Sequence, residues 1–437
     1  MSVLTLKTVA SATLPVPGTD PWYAAPSDPA LSVMTDFRER ASITVPQGAS
    51  IDAALEHMKH TGVRCAFALD DAGRAVVGLI TAYDITGDVA MRYMQGALTP
   101  RSEVQVRDLM QPIEAWQAAD IADIERATVG EVMRMFEREV YGKTPSGKAP
   151  AFRVVVTAED KNAFGGKATK REVSIYFTDK DEPRADVLLY FPNARKQPAP
   201  AFVSLNFGGN HAVTNDPSIK ISNHWFRNDT KKGYVENKAT EQTRNSSAER
   251  WPVEEIIARG YAVATAYYGD FEPDHAEGMG GGVRPLFLKQ GQDKPADDEW
   301  GAIGAWAWGL SRIADWLQTQ SEIDGKRLAV LGHSRLGKTS LWAGAQDERF
   351  GIVISNDSGA GGAALSKRIF GETVAILNNA FPHWFCGNFK KYSDNEGAMP
   401  MDQHELVALV APRPVYIASA TEDLWADPKG EFLGGKL

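Results

Sequence analysis

The segment KRLAVLGHSRLGKTSLWAGA, residues 326–345, decides the fold of the larger part of this chain. Its aliphatic run at 328–331 predicts a strand, Gly332 a tight turn, and the residues from Arg335 onward a helix. A strand, a turn carrying a serine and a helix make the layout of a nucleophile elbow, which exposes the hydroxyl beside the N–H groups of a helix. Ser334 is therefore the candidate nucleophile, although Gly337 stands one position later than in Gly-x-Ser-x-Gly. The alternative is a surface serine on an ordinary strand-to-helix turn.

The composition is that of a globular protein with two or three domains. The chain has 437 residues, of which 43% are hydrophobic and 24% charged. A net charge of −9 argues against a nucleic-acid partner, and no apolar run reaches the roughly 20 residues of a membrane span. Residues 1–15 lack a clear apolar signal segment, so a cytoplasmic location is only the default. Cys65 and Cys386 form no disulfide framework.

The N-terminal part is predicted to hold a small α+β module behind an extended arm at residues 1–30, which is rich in Pro, Ala and Ser. A capped helix at 50–60, a hairpin of two strands and a second helix follow. This order, with the motif VVGLITAYDITGD at 76–88, resembles a CBS domain, the module named after cystathionine β-synthase. Residues 104–134 resemble the linker and the opening of a second copy, so the predicted module, 31–134, contains one repeat and a fragment of a second.

Thr81 and Asp84 match the CBS positions that commonly contact a nucleotide, so the resemblance implies a weak adenine-nucleotide site. A carboxylate accepts hydrogen bonds from ribose hydroxyls, and a hydroxyl at a helix start can bind an anion. The alternative is that Thr81 caps the helix and Asp84 favours its first turn. A single repeat also lacks the paired cleft that tandem CBS modules form.

Strands and helices alternate from residue 136 onward. Apolar strands at 186–192 and 201–207 precede a polar stretch at 213–250, which is predicted to be a surface insertion. The loop 270–298, rich in Gly and Pro, is expected to border the site, and an apolar helix at 300–319 leads to the strand before Ser334. This alternation indicates a three-layer α/β domain.

Several separated blocks carry a second resemblance. They are GHSRLGKTSLWAGAQDERF at 332–350, ISNDSGAGGAALSKR at 354–368, FPHWFCGNF at 381–389, DQHELVALVAPRPVYIAS at 402–419 and EDLWADPKGEF at 422–432. Together they resemble a bacterial glucuronoyl esterase of carbohydrate esterase family 15. The resemblance implies a serine hydrolase with the α/β-hydrolase fold over residues 136–437. Such enzymes cleave esters between the 4-O-methyl-glucuronic acid of xylan and lignin alcohols, without a metal or another cofactor.

The resemblance also assigns roles to residues of this chain. Ser334 is the nucleophile, and Arg335 helps to hold the oxyanion through its backbone N–H and its guanidinium. Lys338, Glu372 and Trp425 match positions that bind the uronate sugar in the family. The alternative roles are a solvated helix residue for Lys338, a surface charge for Glu372 and a core residue for Trp425. For the triad acid, Asp423 is preferred over Asp357, which can instead hydrogen-bond its own turn.

The triad histidine has no match. In the family it lies in a C-terminal loop beyond the block containing DLWADP, and none of the eight histidines here occupies that position, so the domain is expected to be incomplete at its C-terminus. His404 is the substitute considered, and otherwise a substrate-binding residue. Three hypotheses follow: an active esterase, a catalytically impaired truncated or chimeric protein that retains uronate binding, and a CBS-type nucleotide sensor.

Overall fold

A computed structural model of the chain describes residues 6–8, 42–61, 63, 65–115, 117–119, 129–145 and 153–436. The chain divides into two compact units between Val129 and Gly130. Most of the expected arm, residues 1–30, lies outside the described residues, as do residues 120–128 of the expected second CBS fragment. None of the described helices combines the length and the apolarity required to cross a membrane.

The first unit is an α+β module around a four-stranded sheet with the order β2-β3-β4-β5. Its strands are β1 Leu6–Thr8, β2 Thr44–Pro46, β3 Cys65–Leu69, β4 Val76–Thr81, β5 Gln111–Pro112 and β6 Gln117–Ala119, and its helices are α1 Ile51–Thr61, α2 Ala82–Thr86, α3 Asp88–Ala97 and α4 Val106–Leu109. Helix α1 buries Ile51, Ala54 and Met58, whose spacing places them on one face toward the sheet. The hairpin of β3 and β4 is antiparallel, as the sequence predicts.

The second unit is built on an eight-stranded sheet with the order β16-β15-β14-β10-β13-β9-β8-β7. Its strands are β7 Arg153–Asn162, β8 Ala168–Tyr176, β9 Arg184–Pro192, β10 Ala199–Asn206, β13 Ala262–Tyr267, β14 Ile323–His333, β15 Phe350–Asn356 and β16 Val415–Ala418, with a separate ribbon of β11 Tyr234–Val235 and β12 Lys238–Ala239. Five strands, β10 and β13 to β16, are mutually parallel, and β7 to β9 continue the sheet antiparallel. This is the three-layer α/β-hydrolase arrangement that the sequence predicts.

Apart from an irregular helical turn at Ala163–Gly166, the α-helices of this unit are α5 Val129–Glu139, α6 Val253–Ala258, α7 Ala302–Leu317, α8 Arg335–Gln346, α9 Val374–Ala380, α10 Gln403–Ala408 and α11 Pro428–Gly434. Helix α7 is apolar almost all round because it is covered on nearly every side, and Trp306 within it is fully buried. The Tyr141 ring, just after α5, stacks on Trp342 of α8 at a centroid distance of 4.5 Å. This packing ties α5 to the second unit, although residues up to 134 were expected in the first.

The expected surface insertion at 213–250 has buried anchors. Phe226 is buried and stacks on Tyr267 at 4.2 Å between centroids, and the buried His211 contacts the Thr243 hydroxyl at 2.7 Å. Burial lowers the pKa of His211 to about 4, so this ring is neutral near pH 7. The polar composition of the segment therefore hides a few core contacts that hold it on the carboxyl edge of the sheet.

Because parallel strands end at the same edge of a sheet, the residues that follow them meet there. Phe207 follows β10, Tyr268 follows β13, Ser334 follows β14, Asp357 follows β15 and Ser419 follows β16. This edge contains the candidate site.

Candidate active site

Ser334 occupies a strained elbow between β14 and α8. Its backbone angles are φ 56° and ψ −128°, a conformation that costs free energy in a residue with a side chain and is typical of nucleophile elbows. The turn is closed by the Ser334 N–H, which donates to the Asn356 carbonyl at 2.9 Å. Only glycine fits at position 332, since a Cβ there would lie 1.9 Å from the Leu336 carbonyl oxygen. The side chain of Ser334 is partly exposed.

The displaced glycine of the motif has its own steric reason. A Cβ on Gly337 would lie 3.0 Å from the Ser358 Cβ and 3.2 Å from the Asn356 carbonyl oxygen, so the first turn of α8 packs closely on the loop after β15. The N–H groups of Gly337 and Lys338 donate to the Ser334 carbonyl at 2.8 and 3.1 Å, which begins the helix directly behind the serine.

Arg335 is held by a buried carboxylate that the sequence analysis did not identify. One terminal nitrogen of its guanidinium donates to Asp274 Oδ2, and the side chains of Arg335 and Asp274 are 23% and 2% exposed. The guanidinium carbon lies 4.9 Å from the ring centroid of Trp384 and 5.6 Å from that of Phe207. Arg335 is thus enclosed by aromatic faces and fixed in direction by a negative charge.

Lys338 and Glu372 form an almost fully enclosed ion pair. The Lys338 Nζ donates to Glu372 Oε2 at 2.6 Å and to the Ser358 carbonyl at 2.5 Å, and the two side chains are 1% and 6% exposed. The Glu372 N–H donates to the Trp425 carbonyl at 2.9 Å, while the Trp425 side chain remains exposed. The three residues expected to bind the sugar are therefore contiguous, but only the indole offers a large open surface.

The two candidate acids differ in the number of hydrogen bonds that their carboxylates accept. Asp357, at φ 44°, accepts from the Ala420 N–H at 2.6 Å through Oδ1 and from the Asn356 side-chain amide at 3.0 Å through Oδ2. Asp423 accepts only from the Ala426 N–H, at 3.3 Å through Oδ1. Among the described residues the Oδ2 of Asp423 has no partner, so this carboxylate retains the capacity to accept a further hydrogen bond.

No histidine in the described part of the chain hydrogen-bonds with the Ser334 hydroxyl. The neighbouring His333 accepts from the Asn356 amide at its Nδ1, at 2.7 Å, and burial lowers its pKa, so the neutral ring carries its proton on Nε2. That tautomer leaves no free nitrogen to take a proton from the serine. His404 lies on α10, where its Nε2 is 3.8 Å from Glu405 Oε1. Among the described residues, no hydrogen bond, ion pair or ring contact joins His404 to Ser334 or to a candidate acid.

Thr81 and Asp84 of the first unit bind each other. The Thr81 hydroxyl and N–H donate to Asp84 Oδ2 at 2.6 and 2.9 Å, and the Asp84 N–H donates back to the hydroxyl at 3.1 Å. This reciprocal arrangement is a cap at the start of α2. The geometry favours the structural role for both side chains, because the hydroxyl and one carboxylate oxygen are already engaged.

Two further residues of the site escaped the sequence analysis. Asp274 is an isolated aspartate in a loop without periodicity, and only the expectation that 270–298 borders the site pointed toward it. Glu431 of α11 accepts from the Ser358 N–H at 2.5 Å and the Gly359 N–H at 3.0 Å, and contacts the Ser419 hydroxyl. It joins the loop after β15 to the end of β16, and burial raises its pKa.

The chain is similar to known families and to individual proteins of known sequence. A family model described as "Glucuronyl esterase, fungi" matches residues 295–433, and a CBS domain model matches residues 30–90. The carbohydrate esterase MZ0003, from an unknown prokaryotic organism, is 50% identical over 307 residues, which are 70% of this chain and 70% of that protein. A 4-O-methyl-glucuronoyl methylesterase of Podospora anserina is 37% identical over 138 residues, 29% of this chain and 28% of that protein.

Solved structures of CE15 esterases also align with this chain. A glucuronoyl esterase from Solibacter usitatus aligns with a TM-score of 0.67 and 48% identity over 74% of this chain and 80% of its own. A CE15 esterase from a marine bacterial metagenome, described as promiscuous, aligns with a TM-score of 0.65 and 48% identity over 71% and 78%. A CE15 glucuronoyl esterase from Teredinibacter turnerae aligns with a TM-score of 0.58 and 26% identity over 88% and 86%.

Proposed function

This chain belongs to the glucuronoyl esterases of carbohydrate esterase family 15, and from that premise we propose that it hydrolyses carboxylic esters of glucuronate through a covalent acyl-enzyme on Ser334. The substrate class that this proposal takes from its relatives is the ester between a 4-O-methyl-glucuronoyl group and an alcohol. The observation that carries the proposal is the elbow itself. A serine held at φ 56° directly before a helix, with an arginine fixed beside it by a buried carboxylate, is the arrangement of a nucleophile elbow built for acyl transfer.

The reaction follows from the positions of these groups. Ser334 Oγ attacks the uronoyl carbonyl carbon while its proton passes to a base, and the negative charge that develops on the carbonyl oxygen is stabilised by Arg335. The bond to the alcohol then breaks, and the alcohol leaves with a proton. Water attacks the resulting ester of Ser334, which releases glucuronate and restores the hydroxyl.

The substrate carboxyl carbon is attached to a sugar ring, which the neighbouring residues are suited to hold. The exposed Trp425 indole offers an apolar face for a pyranose ring and an N–H for a hydroxyl. The buried Lys338–Glu372 pair supports this indole from its own segment, since the Glu372 N–H donates to the Trp425 carbonyl. Asp423 is the preferred triad acid, since one of its carboxylate oxygens is unused by the described residues.

The experiment measures hydrolysis of benzyl glucuronate by the purified chain and by the variant Ser334→Ala. We expect turnover by the unmodified protein and a fall to the uncatalysed background in the variant, since removal of the nucleophile in serine hydrolases costs up to about 10⁶-fold in kcat. Calorimetric titration with glucuronate is run on both proteins. Equal hydrolysis by both proteins would contradict the proposal.

A second candidate function is uronate binding without turnover. It is favoured by the Ser334 hydroxyl, which has no hydrogen-bonded base among the described residues, and by the tautomer of His333. In that case glucuronate binds with a measurable affinity that Trp425→Ala weakens, while neither the unmodified chain nor Ser334→Ala hydrolyses the ester. Hydrolysis therefore separates the two functions, and the titration of Trp425→Ala tests the binding that the second function requires.

A further inference from the structure

A single buried carboxylate gathers four donors from three segments of the second unit. Asp274 Oδ1 accepts from His383 Nε2 at 2.8 Å and from Trp384 Nε1 at 2.7 Å, and its Oδ2 accepts from the Tyr268 hydroxyl at 2.9 Å and from Arg335. Four donors use nearly the full accepting capacity of a carboxylate. The four hydrogen bonds therefore fix the orientation of the Asp274 carboxylate, and the carboxylate in turn orients the Arg335 guanidinium.

The carboxylate is ionised despite its burial. Burial by itself raises the pKa of Asp274, but the hydrogen bond from His383 and the charge of Arg335 outweigh it and hold the pKa well below its usual range. The residue is 1% exposed, so water does not screen the attraction between the two charges. The carboxylate is therefore negatively charged at neutral pH.

The aromatic contacts complete the enclosure of the guanidinium. Its carbon lies 4.9 Å from the Trp384 ring centroid, 5.6 Å from that of Phe207 and 5.7 Å from that of Phe381. Phe381 and Trp384 are themselves stacked, with centroids 3.8 Å apart and planes inclined by 4°. The rings restrict the position of the Arg335 guanidinium, and Asp274 restricts its rotation.

We propose that Asp274 is a positioning residue for catalysis, which fixes the guanidinium of Arg335 beside Ser334 so that it faces the oxyanion without rearrangement. The inference rests on the proposed function, because it assigns to Asp274 a role in the same reaction. It also gives His383 a part other than that of a base. With Nε2 on Asp274, His383 orients the carboxylate that orients the arginine.

The neighbouring chain provides a matched control. Two residues before Asp274, Glu272 binds Arg284 through both carboxylate oxygens, and the side chains of this pair are 0% and 8% exposed. The Arg284 guanidinium also donates to the Trp300 carbonyl at 2.9 Å. Among the described residues, no hydrogen bond or ion pair joins Glu272 or Arg284 to the elbow. Both carboxylates are buried on the same loop and each binds an arginine, but only the partner of Asp274 belongs to the elbow.

The test compares Asp274→Asn with Glu272→Gln, Arg335→Met and the double variant Asp274→Asn/Arg335→Met on benzyl glucuronate. Loss of one oxyanion donor costs about 10²–10³-fold in kcat, so we expect Arg335→Met in that range and Asp274→Asn at about 10–10²-fold with an unchanged KM. If Asp274 acts through Arg335, the double variant is no slower than Arg335→Met. Glu272→Gln is expected to lower the melting temperature without lowering kcat of the folded protein.

A second measurement does not depend on turnover. In ¹H–¹⁵N spectra of the arginine side chains, the Arg335 Nε–H, assigned by its loss in Arg335→Lys, is expected to exchange slowly with water because its nitrogen is buried. In Asp274→Asn this signal should shift and exchange faster, whereas in Glu272→Gln it should not change. An unchanged Arg335 signal in Asp274→Asn, or additive losses in the double variant, overturns the inference. Absence of turnover in the unmodified chain overturns the proposed function and with it the catalytic role of Asp274, while the signal still decides separately whether Asp274 fixes Arg335.

Discussion

Two groups of residues near Ser334 differ in burial and in the number of their hydrogen bonds. On one side Arg335 is enclosed by three aromatic rings and bound to Asp274, a carboxylate with four donors and 1% exposure. On the other side Asp423 has one hydrogen bond, and His333, with a side chain 45% exposed, accepts from an amide. The side that we propose to stabilise charge is firmly held by described residues, whereas among those residues the side proposed to move a proton offers the serine no acceptor.

This difference reflects the different packing that oxyanion stabilisation and the orientation of a base require. Stabilising an oxyanion requires a charge that does not move, and the Asp274 carboxylate that holds Arg335 is buried and accepts four hydrogen bonds. Orienting a base requires a carboxylate with a free oxygen, and such an oxygen is costly to bury without its partner. The Asp423 carboxylate is only partly buried, and among the described residues its Oδ2 accepts no hydrogen bond.

The largest effect is expected on the open side. Replacing Asp423 by asparagine should lower kcat by about 10³–10⁴-fold, since loss of the triad acid in serine hydrolases has that cost. Asp357→Asn should lower kcat by less than about tenfold, because both oxygens of Asp357 already hold the loop, but should reduce stability by about 1–3 kcal/mol. The kcat values and urea unfolding curves of both variants check this, and the reverse ranking would make Asp357 the triad acid.

The next effect concerns the enclosed charge pair behind the serine. Lys338→Met leaves Glu372 buried without its cation, which we expect to cost about 3–5 kcal/mol of unfolding free energy. The double variant Lys338→Met/Glu372→Gln should recover much of that loss, since no buried charge remains unpaired. Urea unfolding of the two variants checks it. Equal destabilisation of both would mean that the loss comes from packing and not from charge.

The smallest effect is expected at the exposed indole. Trp425→Ala should weaken glucuronate binding about tenfold, in line with the worth of an aromatic contact to a ligand, and should leave the melting temperature nearly unchanged. Tyr416→Ala is the matched control, because this tyrosine on β16 is 63% exposed and Trp425 is 53% exposed. Calorimetric titration of both variants is the measurement, and an equal loss in Tyr416→Ala would remove the specific role of Trp425.

The elbow was predictable because its determinants are contiguous. The strand, Gly332, Ser334 and the first turn of α8 lie within a few residues of one another, and steric rules for a tight turn act at that range. The cap formed by Thr81 and Asp84 was foreseen as an alternative for the same reason. The expected helices and strands of both units follow from hydrophobic periodicity, which is also a local property.

The support of Arg335 was not predictable in this way. Asp274 and Arg335 are separated by 61 positions, and His383 by a further 48, so no spacing in the sequence links them. The burial of Lys338 and Glu372 was likewise unexpected, because a charged residue on a helix is usually solvated and the pairing partner lies 34 positions away.

The sequence by itself determined the alternation of strands and helices, the serine at a strand-to-helix turn and the family to which the chain belongs, because these depend on local sterics, periodicity and motifs. Tertiary structure alone decided which charges are buried and which partners they have. Those choices depend on the carboxyl ends of five parallel strands meeting at one edge, where residues far apart in the chain are desolvated together and must satisfy one another.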